Sequence, residues 1–240
     1  MKKNEQEKKR VTEPDSKEQQ ITDAIYSARF QSDDSAQARW RRELWKILVS
    51  DFFSRWIPEN ATVLDYGCGK GEFINAVTAR HRIAVDVRES LRQTLDPDIE
   101  FHVATGIELT EIATGSVNVI FCSNLLEHLP DRQTITDLFR ELRRVLAPEG
   151  RLLILGPNIH FTGAAYWDFF DHLIPLTHRS LVEALATANF ETEELIPRFL
   201  PYTTTDGKLT PLFLVRFYLR IPLAWRIMGA QFFAVARPKD

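Results

Sequence analysis

The residues best suited to chemistry lie in a glycine-rich segment that begins near residue 65. An apolar run ends at Asp65 and is followed by Tyr66-Gly67-Cys68-Gly69-Lys70-Gly71 and then by a helix-like pattern. Glycine tolerates backbone conformations and close approaches that other residues resist, so such a turn can bring main-chain atoms against a ligand. A second acid, Asp86, ends the next apolar run nineteen residues after Gly67, close to the spacing at which an acid binds ribose hydroxyls. The pattern predicts a ligand that contains a nucleoside.

Three histidines are candidate general bases. His128 follows the fourth apolar run as part of Glu127-His128, His160 follows the fifth, and His172 lies twelve residues further on. The carboxyl ends of parallel strands face the ligand crevice, so imidazoles there are placed to exchange a proton with an acceptor. Glu127-His128 is also compatible with a structural histidine or with a divalent-ion site built on carboxylate oxygens; we predict no metal.

An alternation of short apolar runs and amphipathic segments must position these residues. Strands are predicted at 62–65, 82–87, 99–104, 117–123, 151–155, 190–196 and 231–236, and helices at 36–56, 72–80, 131–146 and 180–188. Strands that alternate with helices pair in parallel through right-handed crossovers, and their nearly continuous apolar character indicates that both faces of the sheet are covered. The pattern predicts a doubly wound α/β domain.

Composition narrows the class of protein. With 240 residues, 44% of them hydrophobic, the chain can bury one sizeable core. A net charge of −3 lacks the basic footprint of a nucleic-acid-binding protein, so we predict no nucleic-acid partner. Two cysteines are too few for a disulfide scaffold, and neither a signal peptide nor a long uncharged apolar run is found. We therefore expect a cytoplasmic protein.

Two classes of ligand are compatible with the glycine-rich turn. A dinucleotide fingerprint would place its third glycine at position 72, where Glu72 would crowd the helix and repel a pyrophosphate, although Arg88 could favour a 2′-phosphate. S-adenosylmethionine (SAM) has no phosphate, and its ammonium, carboxylate and ribose suit a close glycine backbone and an acid at Asp86. An NAD(P)-dependent oxidoreductase is therefore the weaker alternative.

The chain resembles class I SAM-dependent methyltransferases of the bacterial small-molecule and glycan-modifying type. The similarity covers roughly residues 25–200 and rests on five segments in the family's order, at 63–73, 83–87, 123–129, 142–152 and 178–190. It implies a Rossmann-like methyltransferase fold: α/β, doubly wound, with a mostly parallel seven-stranded sheet whose last strand is antiparallel.

The resemblance also implies a cofactor and the residues around it. The cofactor would be SAM, with S-adenosylhomocysteine as product. The expected binding residues are Asp65, Tyr66, Gly67, Cys68, Gly69, Asp86, Val87, Thr105, Gly106, Asn124 and Leu125. Two positions depart from the family pattern: Thr105 stands where an acid usually lies near the adenine, and Asn118 where Asp is common. These departures predict weaker adenine binding, or binding by backbone groups.

The segments outside the central pattern have their own expected roles. We expect a disordered charged tail at 1–20, an N-terminal helical lid or cap at 21–58 carrying Tyr26, Arg29, Phe30 and Trp40, and a SAM-binding domain at 59–240. Within that domain, 197–230 is expected to be an insertion that contacts acceptor or membrane. Its apolar, aromatic and basic part at 211–226 is typical of a packed helix or dimer surface, or of an interfacial membrane anchor.

The resemblance implies transfer of a methyl group to a hydroxyl or amine of a small molecule, a sugar or a lipid-linked glycan. Such a protein would act in the cytoplasm, or peripherally at the inner face of the membrane. A non-catalytic protein with the same fold that binds a partner is the alternative from another class, and Thr105 and Asn118 are its support. The sequence leaves the oligomeric state open.

Overall fold

The computed structural model describes residues 24–25, 35–104, 106–202 and 209–239, and they are built around one sheet. The strands are β1 Thr62–Tyr66, β2 His81–Asp86, β3 Glu100–Val103, β4 Val117–Ser123, β5 Leu146–Pro157, β6 Phe190–Ile196 and β7 Gln231–Pro238. Their order in the seven-stranded sheet is β3-β2-β1-β4-β5-β7-β6.

Strand direction follows from how the chain returns to the sheet. β1 pairs in parallel with β2 and β4, and β2–β3 and β4–β5 are also parallel. β7 runs antiparallel to both β5 and β6. The prediction of a mostly parallel seven-stranded α/β sheet with an antiparallel last strand is confirmed. The order reverses at β1 and β4, so their carboxyl ends open the crevice in which such sheets bind ligands.

Helices and short turns connect the strands and cover the sheet. The helices are α1 Ala36–Asp51, α2 Glu72–Ala76, α3 Arg132–Val145, α4 Ile159–Thr162, α5 His178–Thr187, α6 Leu212–Leu219 and α7 Pro222–Met228. Turns of 3-10 helix lie at Phe53–Trp56, Glu89–Thr94, Leu126–His128 and Gly163–Asp168. Local caps start two of the longer helices: Asp131 accepts the Thr134 N–H at 2.8 Å, and Thr177 and Ser180 form a capping box.

The core has a separate cluster on each face of the sheet. On one face α3 buries Leu138, Phe139 and Leu142 against β4 and β5. On the other face the core is aromatic, and the rings of Phe73 and Phe121 stack at 3.9 Å between centroids. Because both faces are covered, most residues of the central strands β1, β4 and β5 are buried, as their sequences predict.

Three predicted boundaries are wrong. The helix predicted at 72–80 ends at Ala76, because the chain turns extended at Val77, a β-branched residue whose side chain is buried. The helix predicted at 36–56 ends at Asp51 and continues as the 3-10 turn Phe53–Trp56. β5 begins at Leu146 rather than Arg151, because a register shift between Val117 and Val119 accommodates the extra residues as a bulge.

In the described part of the segment at 197–230, the chain forms the two helices α6 and α7. The predicted tail at 1–20, the lid residues Tyr26, Arg29 and Phe30, and the candidate Thr105 lie outside the described residues. Within the part of the chain that the structure describes, we find no helix with the length and apolar character needed to cross a membrane.

Candidate active site

The glycine-rich turn links the carboxyl end of β1 to α2. Gly67 and Gly69 have φ values of 76° and 53°, a region that side chains rarely adopt. The Gly67 and Cys68 N–H groups both donate to the carbonyl of Val85, at 2.8 and 3.0 Å, which ties the turn to β2. A Cβ placed on Gly69 would meet nothing within 4 Å, so the main chain there faces open space. The turn can therefore receive a ligand against its backbone.

Asp86 at the end of β2 faces the same turn. Its Oδ2 accepts the Gly69 N–H at 2.9 Å, and its Oδ1 lies 3.6 Å from Arg88 Nε. The residue is buried, yet each carboxylate oxygen can accept more than one hydrogen bond. The structure thus joins Asp86 to Gly69 and leaves acceptor capacity on its carboxylate for ligand hydroxyls.

Asp65 supplies a second, more deeply buried carboxyl beneath the turn. Burial, followed by the charges of Asp86 and Glu72, raises its pKa well above the ordinary value. Among the described residues, Asp65 Oδ2 accepts no hydrogen bond although solvent cannot reach it. A buried acceptor without a partner is costly, and an arriving cation would relieve both this cost and the mutual repulsion of the acids.

The segment after β4 lies against the glycine-rich turn. Asn124 has a positive φ of 48°, and its N–H donates to the carbonyl of Leu155 at 2.9 Å. The side chain of Leu125 lies 3.1 Å from the position that a Cβ on Gly67 would occupy, so an alanine there would press on this leucine. The structure therefore brings Asn124 and Leu125 to the turn, where they were expected to border the ligand.

His128 follows Leu125 by one helical turn and is held by Asp171. Its Nδ1 lies 3.0 Å from the Asp171 carbonyl oxygen and 3.2 Å from Asp171 Oδ2. Both are acceptors, which assigns the neutral ring's proton to Nδ1 and leaves the lone pair on Nε2. Burial opposes a charged ring, but the Asp171 hydrogen bond and the charges of Glu127 and Asp171 outweigh it and raise the pKa of His128. The ring is therefore oriented to accept a proton at Nε2.

His172 is buried beside His128 rather than presented to solvent. Its ring lies 5.0 Å from that of His128 and stacks on Phe169 at the same centroid distance. Donor atoms of Glu127, His128 and His172 all lie within 4.8 Å of one another, so these side chains form a compact cluster with metal-binding groups. The packing of His172 favours a supporting role over direct contact with an acceptor.

His160 belongs to a different cluster. It is exposed on α4, with its ring 4.8 Å from that of Phe161 and 6.3 Å from that of His178. Below it, the buried Asn158 donates to the Pro197 carbonyl at 2.9 Å and lies 3.0 Å from His178 Nδ1. No direct contact between His160 and the His128 cluster is found in the described ranges.

The remaining predicted residues have clear positions. Burial raises the pKa values of the Tyr66 hydroxyl and the Cys68 thiol, which keeps both groups neutral and makes Cys68 an unreactive packing residue. Val87, directly after β2, and Gly106, three residues after β3, are both exposed. Asn118 lies at the opposite end of the sheet, where its Oδ1 accepts the Thr62 N–H at 2.9 Å. Its departure from the family pattern therefore involves the start of β1 and not the ligand crevice.

Asp171 is the functional candidate that sequence analysis missed. It lies 43 residues from His128, and only the fold brings the two side chains together. The available signal was its place in an aromatic loop that also carries His172. Glu72 adds a second finding, because its carboxylate at the start of α2 lies 3.3 Å from Arg41 Nε. A negative group therefore occupies the position where a dinucleotide fingerprint requires glycine.

Comparison with known proteins defines the class to which this fold and site belong. A family model described as "Methyltransferase domain" matches residues 37–195. The chain belongs to this methyltransferase family. The predictions of a methyltransferase fold, of an enzyme of this class and of SAM as its cofactor are confirmed at this level.

The individual proteins that resemble this chain share only a modest sequence identity with it. A malonyl-[acyl-carrier protein] O-methyltransferase of Methylovorus sp. (strain MP688) is 26% identical in an alignment of 174 residues, and the match covers 60% of this chain and 55% of that protein. The chain thus spans about half the length of this curated relative. Among solved structures, a SAM-dependent methyltransferase from Archaeoglobus fulgidus has a TM-score of 0.61 at 18% identity, covering 82% of this chain and 94% of that one. A complex of the Haloferax volcanii Trm112 methyltransferase activator with a methyltransferase gives 0.59 at 15%, covering 90% and 96%.

The crevice residues fit the cofactor of this class. The open backbone at Gly69 leaves room for the methionine part, and the unpartnered Oδ2 of Asp65 would face a cationic group. Asp86 retains acceptor capacity for the ribose hydroxyls while it holds Gly69. The three features occupy adjoining parts of one edge of the sheet, as a single ligand would require.

Proposed function

We propose that the protein transfers a methyl group from SAM to a hydroxyl, or an amine, of a small-molecule, sugar or lipid-linked glycan acceptor. The observation that carries this proposal is the His128–Asp171 pair, because an oriented base is what a neutral hydroxyl acceptor needs. His128 lies three residues after Leu125, whose side chain contacts the glycine-rich turn. SAM, when bound, supplies an electrophilic methyl group on a sulfonium.

Cofactor positioning is assigned to the turn and its two acids. Gly67 and Gly69 let the backbone approach the ligand, Asp86 accepts from the ribose hydroxyls, and Asp65 faces the ammonium group. Asn124 and Leu125, which follow β4, are assigned to the border of the same ligand, since the side chain of Leu125 contacts the turn at Gly67. Fixing donor and acceptor in line supplies much of the rate of such a transfer. We also propose that segment 21–58 covers the cofactor, since Arg41 of α1 pairs with Glu72.

Proton removal is assigned to His128. Asp171 holds Nδ1–H, so Nε2 can accept the proton of the acceptor hydroxyl. With SAM bound, the methyl group would pass to that oxygen as its bond to sulfur breaks, and S-adenosylhomocysteine would leave. Glu127 Oε1, 4.0 Å from Nε2, stabilises the resulting imidazolium. His172 supports the ring by packing, and the exposed His160 is assigned to contact with the acceptor. We assign no metal to the cluster.

A carboxylate acceptor is the second candidate, because the curated relative is named for O-methylation of malonyl-[acyl-carrier protein]. A carboxyl group is already ionised at neutral pH, so its methylation requires no general base. The two candidates therefore differ in their dependence on His128.

The test combines a panel of acceptors with variants of the base. Formation of S-adenosylhomocysteine is followed with nucleotide sugars, lipid-linked sugars and malonyl-loaded acyl carrier protein. For a hydroxyl acceptor, His128→Gln should lower kcat by about 10²–10⁴-fold with little change in the Kd for SAM. Asp171→Asn should lower kcat less and move the acidic limb of the pH profile to lower pH, because it removes the Asp171 carboxylate, whose hydrogen bond and charge help to raise the pKa of His128.

Matched outcomes separate the candidates. His160→Gln is the histidine control outside the cluster, and it should raise KM rather than lower kcat. Turnover of malonyl-loaded carrier protein that is insensitive to His128→Gln would replace the hydroxyl proposal with carboxyl methylation. Tight binding of SAM without turnover of any acceptor class would favour the non-catalytic alternative.

A further inference from the structure

The helix pair α6–α7 exposes an unusual amount of apolar surface. Large hydrophobic side chains of this pair and its linker are between 46% and 69% exposed, namely Phe213, Leu214, Phe217, Ile221, Leu223, Ile227 and Met228. We call these residues, together with Arg220 and Arg226, the α6–α7 surface. Isolated exposed hydrophobic residues are ordinary, but a dense group on consecutive helices marks a contact surface.

The opposite side of the helix pair is firmly attached to the domain. Leu219 and Trp225 are buried, and the Trp225 ring lies 5.7 Å from Phe52 and 5.3 Å from Phe199. Trp225 Nε1 also donates to the Tyr218 carbonyl at 2.7 Å. The α6–α7 surface is therefore held outward by the core, and the helices do not need to rearrange to present it.

The charge of this surface has one sign. Residues 209–230 include no acidic side chain and carry Arg216, Arg220 and Arg226. Arg216 pairs with Asp51 of α1 at 2.8 Å, while Arg220 and Arg226 are exposed. Exposed cations beside an apolar face are the composition of helices that lie in the interface of an anionic membrane.

We infer that the α6–α7 surface docks on a bilayer that contains anionic lipids, with its apolar side chains at the acyl boundary and its arginines at the headgroups. α6 and α7 span eight and seven residues, so they would lie on the membrane rather than cross it. A second copy fits the surface less well. A two-fold interface would bring the same arginines together without an acid from this segment to neutralise them.

The position of this surface connects it to the transfer site. Arg198 Nη2 donates to the Ile227 carbonyl and Nε to the Gly229 carbonyl, both at 2.7 Å, and its guanidinium lies 4.6 Å from the centre of the Phe161 ring. The end of α7 is thereby fixed to α4, the short helix that carries His160. Docking of the α6–α7 surface would bring α4 near the bilayer and so deliver a lipid-linked acceptor to His160. Only this delivery step rests on the proposed function.

Vesicle flotation of the full chain tests the inference. Phosphatidylcholine vesicles with and without phosphatidylglycerol are compared at low and high salt. Binding should require phosphatidylglycerol and weaken with salt. Arg220→Gln/Arg226→Gln should weaken partitioning by about 25-fold, since each arginine at such a surface contributes about fivefold. Phe213→Ser/Phe217→Ser should weaken it by about tenfold or more.

Two controls keep the test independent of folding and of turnover. Arg140→Gln/Arg237→Gln changes the net charge equally at residues that pair elsewhere, with Asp137 and Glu191, and should leave flotation unchanged. SAM affinity, measured by calorimetry, should be the same in all variants. Absence of flotation with phosphatidylglycerol at low salt would overturn the inference, and so would equal flotation of the surface variants and the wild type. A dimer in sizing experiments that Phe213→Ser/Phe217→Ser dissociates, without lipid binding, would assign the surface to a second copy instead.

Discussion

Removal of the Asp86 carboxylate is the sharpest test of the cofactor site. In the structure Asp86 accepts the Gly69 N–H at 2.9 Å, and it is proposed to accept from both ribose hydroxyls of SAM. A hydrogen bond to a charged group contributes about 1.5–3 kcal/mol, so loss of two such bonds in Asp86→Ala should weaken binding by at least about 3 kcal/mol. That energy corresponds to an increase of roughly 150-fold in Kd.

The conservative variant separates charge from structure. Asp86→Asn keeps an oxygen that can accept the Gly69 N–H but removes the charge, so its Kd should lie between those of the wild type and Asp86→Ala. Asp86→Ala also leaves the Gly69 N–H without its acceptor, which should reduce the free energy of unfolding by about 1–3 kcal/mol. Denaturant unfolding of the three proteins measures this difference.

Calorimetric titration with SAM and with S-adenosylhomocysteine provides the assay. Asp98→Ala is the matched control, because Asp98 is an exposed acid that pairs with Arg82 at 2.7 Å, away from the glycine-rich turn. Its Kd should equal that of the wild type. If Asp86→Ala has native near-UV circular dichroism and still binds SAM within threefold of the wild type, the assignment of Asp86 to the ribose is refuted.

Four further predictions concern the turn, the core, the histidine and the cluster. Gly69→Ala should lower the free energy of unfolding by only about 1–2 kcal/mol, because the added Cβ meets no atom within 4 Å and the cost is that of the left-handed backbone. The same change should lower the binding free energy of SAM by more than this. An unchanged Kd for SAM would place the ligand elsewhere. Phe121 is fully buried, so Phe121→Ala should reduce the free energy of unfolding, measured by urea denaturation, by about 3–5 kcal/mol. Phe170 is exposed, and Phe170→Ala should change the same quantity by under about 0.5 kcal/mol. The pKa of His128 is higher in the folded protein than in the unfolded chain. The charged pair with Asp171 should therefore stabilise the protein fully at a pH below the ordinary histidine pKa. This stabilisation should be lost as the pH rises through the raised pKa of the folded protein. The stability difference between wild type and His128→Gln should shrink accordingly, and a pH-independent difference would contradict this. Treatment with EDTA should leave turnover unchanged, while a loss restored by Mg²⁺ or Mn²⁺ would assign the Glu127–His128–His172 cluster to a metal.

The sequence by itself determined the architecture and the position of the glycine-rich turn. Strand-length apolar runs that alternate with helices predict a parallel sheet. The glycines after the first run predict a tight turn, because few other residues adopt the backbone conformations that such a turn requires. The spacing of Asp65, Gly69 and Asp86 sufficed to place them at adjoining strand ends, since consecutive parallel strands bring those ends to one edge. These features depend on residues that are close together in the chain, so the sequence alone is enough to predict them.

Tertiary structure decided which side chains meet across long distances. It pairs His128 with Asp171, buries His172 behind them and separates His160 into another cluster. It also places Asn118 at the far end of the sheet, away from the glycine-rich turn. The sequence of α6 and α7 is compatible both with a membrane anchor and with a packed helix, so it does not distinguish the two hypotheses. Only the packing of Leu219 and Trp225 into the core shows which side chains remain outside. Such outcomes depend on contacts between residues remote in the chain, which periodicity and spacing do not encode.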